Sequence, residues 1–157
     1  QELLQKAYAL EPEMPTLAYY IGETYLQRER DAEARPYLEA ALERDPDDVN
    51  ALYNLALVHY HLQEHGGAMD LLDRANALAE GGDAEIHYCR GIVLEALQRH
   101  AEAKEAYGQA LALEPDNALS LLFLGKLHDM FQELPQAIDC YRRVLELDPH
   151  HPEANYE

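Results

Sequence analysis

The chain contains little cysteine and little positive charge. Cys89 and Cys140 are the only cysteines among its 157 residues, and they lie far apart, outside any Cys-x-x-Cys pattern. Two isolated cysteines support neither a disulfide framework nor a zinc knuckle. The 12 lysines and arginines are outnumbered by 30 aspartates and glutamates, which gives a net charge of −18. A surface of this sign repels phosphate backbones and argues against nucleic-acid binding, whereas it favours basic or neutral partners.

Long apolar runs are also missing. No run approaches the ~20 residues that a helix needs to span a bilayer, so direct membrane insertion is not expected. A basic segment followed by an apolar stretch, which is the pattern of a secretory signal, is not found either. These absences leave the compartment open between cytoplasm and bacterial periplasm. Hydrophobic residues nevertheless make up 48% of the chain, which indicates a folded protein and not a disordered segment.

The sequence has no recognisable catalytic motif. A glycine-rich phosphate loop, a nucleophile elbow, and a serine or cysteine beside a placed histidine are all missing. Among the eight histidines, His59 and His61 point in different directions on a helix, and His61 shares a face with His65 only if the helix continues to that point. No pair has the geometry of a zinc-binding helix. We therefore predict no enzyme activity, cofactor or metal in this segment, while an enzyme elsewhere in a longer parent protein stays open.

The chain does contain a sequence motif that recurs at a regular spacing. A proline ends each of four copies of this motif. The first and last intervals between these prolines each equal one period of about 34 residues. A period of this size indicates stacked supersecondary units. The middle interval is two such periods with one added residue, which we place at Gly81-Gly82-Asp83, where a turn absorbs it. The prolines are Pro12, Pro46, Pro115 and Pro149.

The period divides the chain into four complete units with partial units at both ends, so we expect a fragment of a longer repeat protein. The units are 15–48, 49–83, 84–117 and 118–151, preceded by the second half of a unit at 1–14 and followed by the start of another at 152–157. Each unit is predicted to form two antiparallel helices, A and B. Proline disfavours helical conformation in the residue before it and so ends three of the B helices, and Gly81-Gly82 ends the B helix of the second unit. The predicted A helices are 16–28, 50–62, 84–97 and 118–131, and the B helices are 31–44, 66–79, 100–113 and 134–147.

Small residues recur in each unit where helices must approach closely, and large apolar residues recur beside them. The spacing of a helical turn places both sets on buried stripes. Position 8 of the units holds Gly22, Ala56, Gly91 and Gly125, position 20 holds Ala34, Ala68, Ala103 and Ala137, and position 27 holds Ala7, Ala41, Ala75 and Ala110.

This alternation of small and large residues, with proline at position 32, resembles the tetratricopeptide repeat over essentially the whole chain. The resemblance implies an all-α fold, a right-handed α-solenoid of antiparallel helix pairs. It also implies that the A helices line a concave groove, which in this family binds a peptide segment or a partner helix. Relatives that capture a carboxylate use lysine at position 5 and asparagine or arginine at position 9, and this chain has neither.

The resemblance also implies which A-helix positions face the groove. Position 5 carries Tyr19, Tyr53 and Tyr88, and tyrosine combines a large rigid contact area with a hydroxyl for hydrogen bonding. These tyrosines either bind a ligand or pack between adjacent A helices, and both roles are compatible. In the implied groove, apolar residues and a rim of acidic residues predict a partner with apolar anchors and flanking lysine or arginine. The predicted binding residues are Tyr19, Glu23, Gln27, Asn50, Tyr53, Leu57, Tyr60, His61, Tyr88, Ile92, Glu95, Leu122, Lys126 and Met130.

The third unit departs from the pattern, because His87 and Arg90 occupy positions that are apolar elsewhere. Either Arg90 pairs with a carboxylate of the preceding B helix, Asp70 or Asp73, or these polar residues form a functional pocket. The third alternative, which we favour, is that the inserted residue rotates the helix. Such a rotation turns two apolar residues inward, Ile86 and Val93.

Together these features predict a protein–protein interaction scaffold. A second hypothesis is a regulatory or substrate-presenting arm of a larger enzyme, such as a bacterial glycosyl- or sulfotransferase. A third is a structural array that self-associates through uncapped repeat ends.

Overall fold

The computed structural model describes residues 15–80 and 82–154. Within these residues it contains eight helices in sequential antiparallel pairs, which confirms the predicted all-α class. The predicted helix ends agree with the observed ones to within two positions. The predicted half unit at 1–14 and the last residues of the further repeat, 155–157, lie outside the described residues. The helices are α1 (Pro15–Leu26), α2 (Asp31–Arg44), α3 (Val49–His61), α4 (His65–Leu78), α5 (Ala84–Ala96), α6 (His100–Leu113), α7 (Ala118–Met130) and α8 (Leu134–Leu147).

Three of the A helices begin at a side chain that caps the first turn. The Asp48 carboxylate accepts hydrogen bonds from the backbone N–H groups of Asn50 and Ala51, at 3.0 and 3.1 Å. Asp83 caps α5 in the same way, and Asn117 caps α7. These side chains satisfy N–H groups that have no partner inside the helix. The proline or glycine before each cap ends a B helix, and the cap starts the next A helix.

The turn from each A helix to its B helix has the same backbone in all four units. Position 15 of the unit adopts a positive φ of 56° at Glu29, 63° at Gln63, 60° at Gln98 and 60° at Gln132. Few residues other than glycine take this left-handed conformation. Because glutamine and glutamate stand there, the sequence carries no local signal for the turn.

The helices form two compact units, α1–α4 and α5–α8, which divide at Gly82. In the first unit, Ile21, Leu38 and Val58 are completely buried in one cluster. In the second unit, Leu121 and Val144 are completely buried in a cluster that also contains Tyr141. Within each unit the B helix of one repeat packs against the A helix of the next. None of the helices in the described residues is long and apolar enough to cross a membrane.

The expected rotation of α5 is not observed. Ile86 and Val93 are buried, as the rotation predicted, but His87 is buried with them at 9% exposure. Helix α5 therefore keeps the same inward face as the other A helices. The physical reason is the close packing of Gly91 on the Tyr107 ring, which sets the orientation of the helix. In α3 the same three repeat positions are buried, with Ala51, Leu52 and Val58.

Candidate partner-binding surface

The predicted binding residues fall into two groups, one on each compact unit, and all but Leu122 reach solvent at least in part. The first patch lies on α1 and α3 or directly after them, and consists of Tyr19, Glu23, Gln27, Asn50, Tyr53, Leu57, Tyr60 and His61. The second patch lies on α5 and α7, and consists of Tyr88, Ile92, Glu95, Leu122, Lys126 and Met130.

Tyr19 in the first patch is both half-buried and hydrogen-bonded. Its hydroxyl donates to Glu23 Oε1 and accepts from Asn54 Nδ2, each at 3.3 Å. The Tyr20 ring meets its ring edge-on, with centroids 5.3 Å apart. Burial, followed by the negative charge of Glu23, raises the pKa of Tyr19 above its ordinary value of 10.0. Tyr19 is therefore a neutral phenol that connects two A helices, and its exposed edge is the part available to a partner.

Tyr88 in the second patch belongs to an aromatic cluster. Its ring centroid lies 6.0 Å from that of Tyr107 and 6.0 Å from that of Phe123. Tyr107 and Phe123 stack at 5.8 Å with an interplanar angle of 21°. The Lys126 ammonium lies 5.1 Å from the Phe123 ring centroid, within cation–π range. The cluster presents a half-buried aromatic surface with a cation at its edge.

Phe123 and Asn54 are contributors that the predicted set missed. Both occupy position 6, directly after the position-5 residue, and each meets the position-5 tyrosine of the preceding repeat. The sequence signal was the offset of one period plus one residue that separates Tyr19 from Asn54 and Tyr88 from Phe123. At this offset the two positions meet on neighbouring A helices.

Several ionisable residues of the two patches have partners within the chain. Glu95 accepts a 2.6 Å hydrogen bond from the Tyr107 hydroxyl. His61 Nδ1 lies 2.8 Å from Asp31 Oδ1, and Lys126 forms an ion pair with Glu153. The ammonium of Lys126 lowers the pKa of the Glu153 carboxyl. A partner therefore meets charges that are already oriented, and a basic partner competes with Lys126 for Glu153.

Leu122 does not belong to the accessible surface. It is 4% exposed and lies in the cluster of Leu121, Tyr141 and Val144. Ala154, at 1% exposure, packs into the same cluster. The expectation that Leu122 lines a binding surface is therefore wrong, because position 5 of α7 is covered where position 5 of the other A helices is half-exposed.

His87 lies on the buried face of α5, at a repeat position where α3 and α7 carry leucine. Its Nδ1 atom is buried and has no hydrogen-bond partner. Burial, then the positive charge of Arg90, lowers the pKa of His87 below its ordinary value of 6.5, against a weaker opposing effect of Asp83. The imidazole is therefore neutral in the folded protein at neutral pH, and it is a packing residue with an unsatisfied polar atom.

We expect this histidine to make stability fall on acidification. Because the pKa is lower in the folded than in the unfolded state, the stability contribution is complete above pH ~6.5 and is lost as pH falls toward the folded pKa. His87→Leu, which restores the residue type of Leu52 and Leu121, should remove this loss. Thermal unfolding at about pH 7.5 and about pH 5.5 measures the loss of stability as a drop in Tm. His150→Leu, at an exposed histidine, is the control, and an equal acid-induced drop in Tm for parent and His87→Leu would contradict the prediction.

Metal binding has no support in the part of the chain that the structure describes. No group of three histidine, cysteine, aspartate or glutamate residues there has an arrangement that could hold a metal ion. Both cysteines are buried, and burial raises the pKa of the Cys140 thiol, which disfavours the thiolate that metals bind.

Comparison with known proteins identifies the repeats. A family model of the tetratricopeptide repeat matches residues 32–83 and 88–156, and a second model of the same repeat matches 15–48. Over 149 residues the chain is 30% identical to the BBSome complex member BBS4 of Xenopus tropicalis. The match covers 88% of this chain and 29% of that protein, so the chain spans less than a third of the length of this relative.

Solved structures show the same fold. The crystal structure of MamA superposes with a TM-score of 0.86 at 22% identity, covering 94% of this chain and 85% of MamA. YrrB, a tetratricopeptide-repeat protein with an unusual peptide-binding site, superposes with a TM-score of 0.81 at 20% identity, covering 96% of this chain and 77% of YrrB. At such identities the likeness concerns the fold alone. Because the family models span most of the sequence, the chain belongs to the tetratricopeptide-repeat family.

Proposed function

We propose that this chain is a protein-interaction module that binds a peptide segment or a helix of a partner on the A-helix surface of its compact units. The observation that carries the proposal is the position-5 tyrosines, Tyr19, Tyr53 and Tyr88, which are only half-buried in both units. Large aromatic side chains held rigidly at a surface provide contact area at low entropic cost, which is why they dominate binding hot spots. Membership of a repeat family that includes YrrB, with its peptide-binding site, supports the same function.

The chemistry of the partner follows from the side chains around the tyrosines. Leu57, Ile92 and Met130 are at least partly exposed beside them, and Met130 is 50% exposed. Apolar anchors of a partner fit these positions. The net charge of −18 favours lysine or arginine beside the anchors, since complementary charge speeds association and rejects acidic competitors. We therefore propose a partner segment with apolar anchors and basic flanks.

We infer no catalytic role for this segment itself. Its similarity to a BBSome complex member over 29% of that protein supports a part played within a larger protein or complex. The proposal concerns binding by these repeats, and a neighbouring enzyme domain is compatible with it.

The test is a comparison of designed peptides. Synthetic peptides that carry leucine and phenylalanine anchors with lysine flanks are measured by fluorescence anisotropy against the same peptides with glutamate flanks. We expect the lysine series to bind more tightly, and binding to weaken by about tenfold or more in the Tyr19→Ala/Tyr53→Ala/Tyr88→Ala variant. Circular dichroism establishes that the variant keeps its helices.

A matched triple variant controls for the loss of large apolar surface. It truncates three exposed leucines that occupy position 30 of the units, on B helices and outside both patches. We expect it to bind like the parent. Equal binding by the tyrosine variant and the parent would place the site elsewhere, and tighter binding of the glutamate series would refute the basic partner. The control residues are Leu78, Leu113 and Leu147, which are 37%, 43% and 45% exposed.

A further inference from the structure

The aromatic cluster of the second compact unit binds a cation that belongs to the chain itself. The Lys126 ammonium lies 5.1 Å from the centroid of the Phe123 ring, and it forms an ion pair with Glu153. The ring attracts the ammonium through the negative charge density of its face, and the carboxylate adds a direct charge interaction. Phe123 and Glu153 therefore bind one ammonium group between them.

The ammonium and both groups that bind it can be reached from solvent. The side chain of Lys126 is 43% exposed and that of Glu153 is 55% exposed, while Phe123 is half-buried. An ion pair with this exposure adds little to stability, because water and salt screen the attraction. A second cation can therefore take the place of the Lys126 ammonium without a large loss of stability.

The Phe123 ring is held in one orientation by its neighbours. It stacks on the completely buried Tyr107, with centroids 5.8 Å apart and an interplanar angle of 21°. The Tyr88 ring packs against it at 6.0 Å, and the Tyr107 hydroxyl is hydrogen-bonded to Glu95. A ring that is already ordered loses little conformational entropy when a ligand binds to it.

The cation site adjoins an exposed apolar residue of the same helix. Met130 follows Phe123 by seven residues on α7, which is about two helical turns or about 10 Å, so both lie on the same side of the helix. Met130 is 50% exposed, and it is one of the positions proposed above for an apolar anchor. In an extended partner segment, a separation of about three residues spans this distance.

We propose that Phe123 and Glu153 form a subsite for a lysine side chain of the partner, and that Lys126 occupies this subsite until the partner binds. The inference rests on the proposed function, since it assigns the basic flank of the partner segment to named residues. On binding, the partner's ammonium takes the position between the ring and the carboxylate, and the Lys126 side chain turns to solvent. The net charge of −18 favours the approach of the basic segment.

The internal lysine makes the subsite selective for an anchored cation. A free cation has to displace Lys126 without help from any other contact. A lysine in a segment whose apolar anchor is already bound acts at a high effective concentration, so it competes well with Lys126. Occupancy by Lys126 lowers the apparent affinity for the partner's lysine by the fraction of molecules in which the subsite is free.

The second compact unit provides a matched control for the removal of this lysine. Lys104 lies 5.1 Å from the Phe131 ring centroid and forms an ion pair with Glu133, so its surroundings have the same chemistry. It lies on the B helix α6, outside the residues proposed to bind the partner. Lys126→Met and Lys104→Met therefore remove the same charge from similar surroundings at two different positions.

Fluorescence anisotropy with two peptides tests the proposal. Both peptides carry a leucine anchor, and at about three residues from it one has lysine where the other has glutamine. We expect the ratio of their affinities, lysine over glutamine, to rise about fivefold in Lys126→Met, because the subsite is then free. The ratio in Lys104→Met should stay near that of the parent. Glu153→Gln, added to Lys126→Met, should remove the gain.

The Glu153 carboxyl reports occupancy of the subsite directly. The hydrogen bond from Lys126, followed by its positive charge, lowers the pKa of this carboxyl. In Lys126→Met the pKa should therefore rise, and addition of the lysine peptide, but not of the glutamine peptide, should lower it again. Carbon-detected NMR of the carboxyl measures both changes.

The outcomes separate the subsite from the function on which it rests. An equal rise of the affinity ratio in both methionine variants would show a general effect of charge. An unchanged ratio in Lys126→Met would show that no partner lysine binds at Phe123 and Glu153. Either result overturns the subsite alone, since the peptides still bind. Binding of neither peptide to the parent or to any variant would refute the proposed function, and the subsite with it.

Discussion

Replacing Gly91 with alanine is expected to destabilise the second compact unit by about 1–3 kcal/mol, the typical effect of overpacking a core. A Cβ at this position would stand 2.4 Å from Cε1 of Tyr107 and 2.7 Å from both Cδ1 and Cζ. The ring has little freedom to move away, because Tyr107 is completely buried. It also stacks on Phe123, and its hydroxyl is held by Glu95 at 2.6 Å. Helix α5 must therefore shift outward to accommodate the methyl group.

Gly108→Ala on α6 is the matched control for this variant. A Cβ at Gly108 meets no atom within 4 Å, so alanine there should stabilise the helix by about 1 kcal/mol through its higher helix propensity. Guanidinium unfolding followed by circular dichroism gives both changes as shifts of the midpoint. A Gly91→Ala protein as stable as the parent would mean that the close packing of α5 on α6 is not a constraint.

The sequence was sufficient to predict the helices because several local signals agree. Asp48 and Asp83 are good helix caps, and each follows the proline or glycine that ends the preceding unit. The small residue at position 8 also predicted close packing, which the contact between Gly91 and Tyr107 confirms. Such signals act within one helix or one helix pair, so they are visible in the residues themselves. The turn at position 15 had no such signal, because Gln63 takes a left-handed conformation without a glycine.

The candidate surface was less predictable because it depends on contacts between helices. Leu122 has the same repeat position as Tyr88, yet it is buried in the cluster that Ala154 completes. Glu95 was predicted as a binding residue, and in the structure it accepts a hydrogen bond from the buried Tyr107. A tyrosine in place of leucine at a core position needs a hydrogen-bond partner for its hydroxyl, and the repeat pattern does not say which residue supplies it. Periodicity assigns a residue to a face, whereas neighbouring side chains decide whether that face is free.

Leu121→Ala is expected to have the largest effect of any variant considered, a loss of about 2–5 kcal/mol in the free energy of unfolding. Leu121 is 0% exposed and lies against Ala137, Tyr141 and Val144 in the core of the second compact unit. The surrounding side chains come from packed helices that cannot collapse fully onto the space left by the isobutyl group. The loss therefore includes a cavity contribution in addition to the lost burial.

The form of the unfolding curve distinguishes a local from a global loss. Leu119→Ala truncates the same side chain two positions earlier on α7, where it is 50% exposed, and it should change stability by no more than about 0.5 kcal/mol. Because the cluster around Leu121 lies in the second compact unit, we expect the loss of helix in guanidinium to begin in α5–α8. A single transition shifted to lower denaturant would show that the loss is spread over the whole chain. An effect of Leu121→Ala as small as that of Leu119→Ala would contradict the buried position of Leu121 itself.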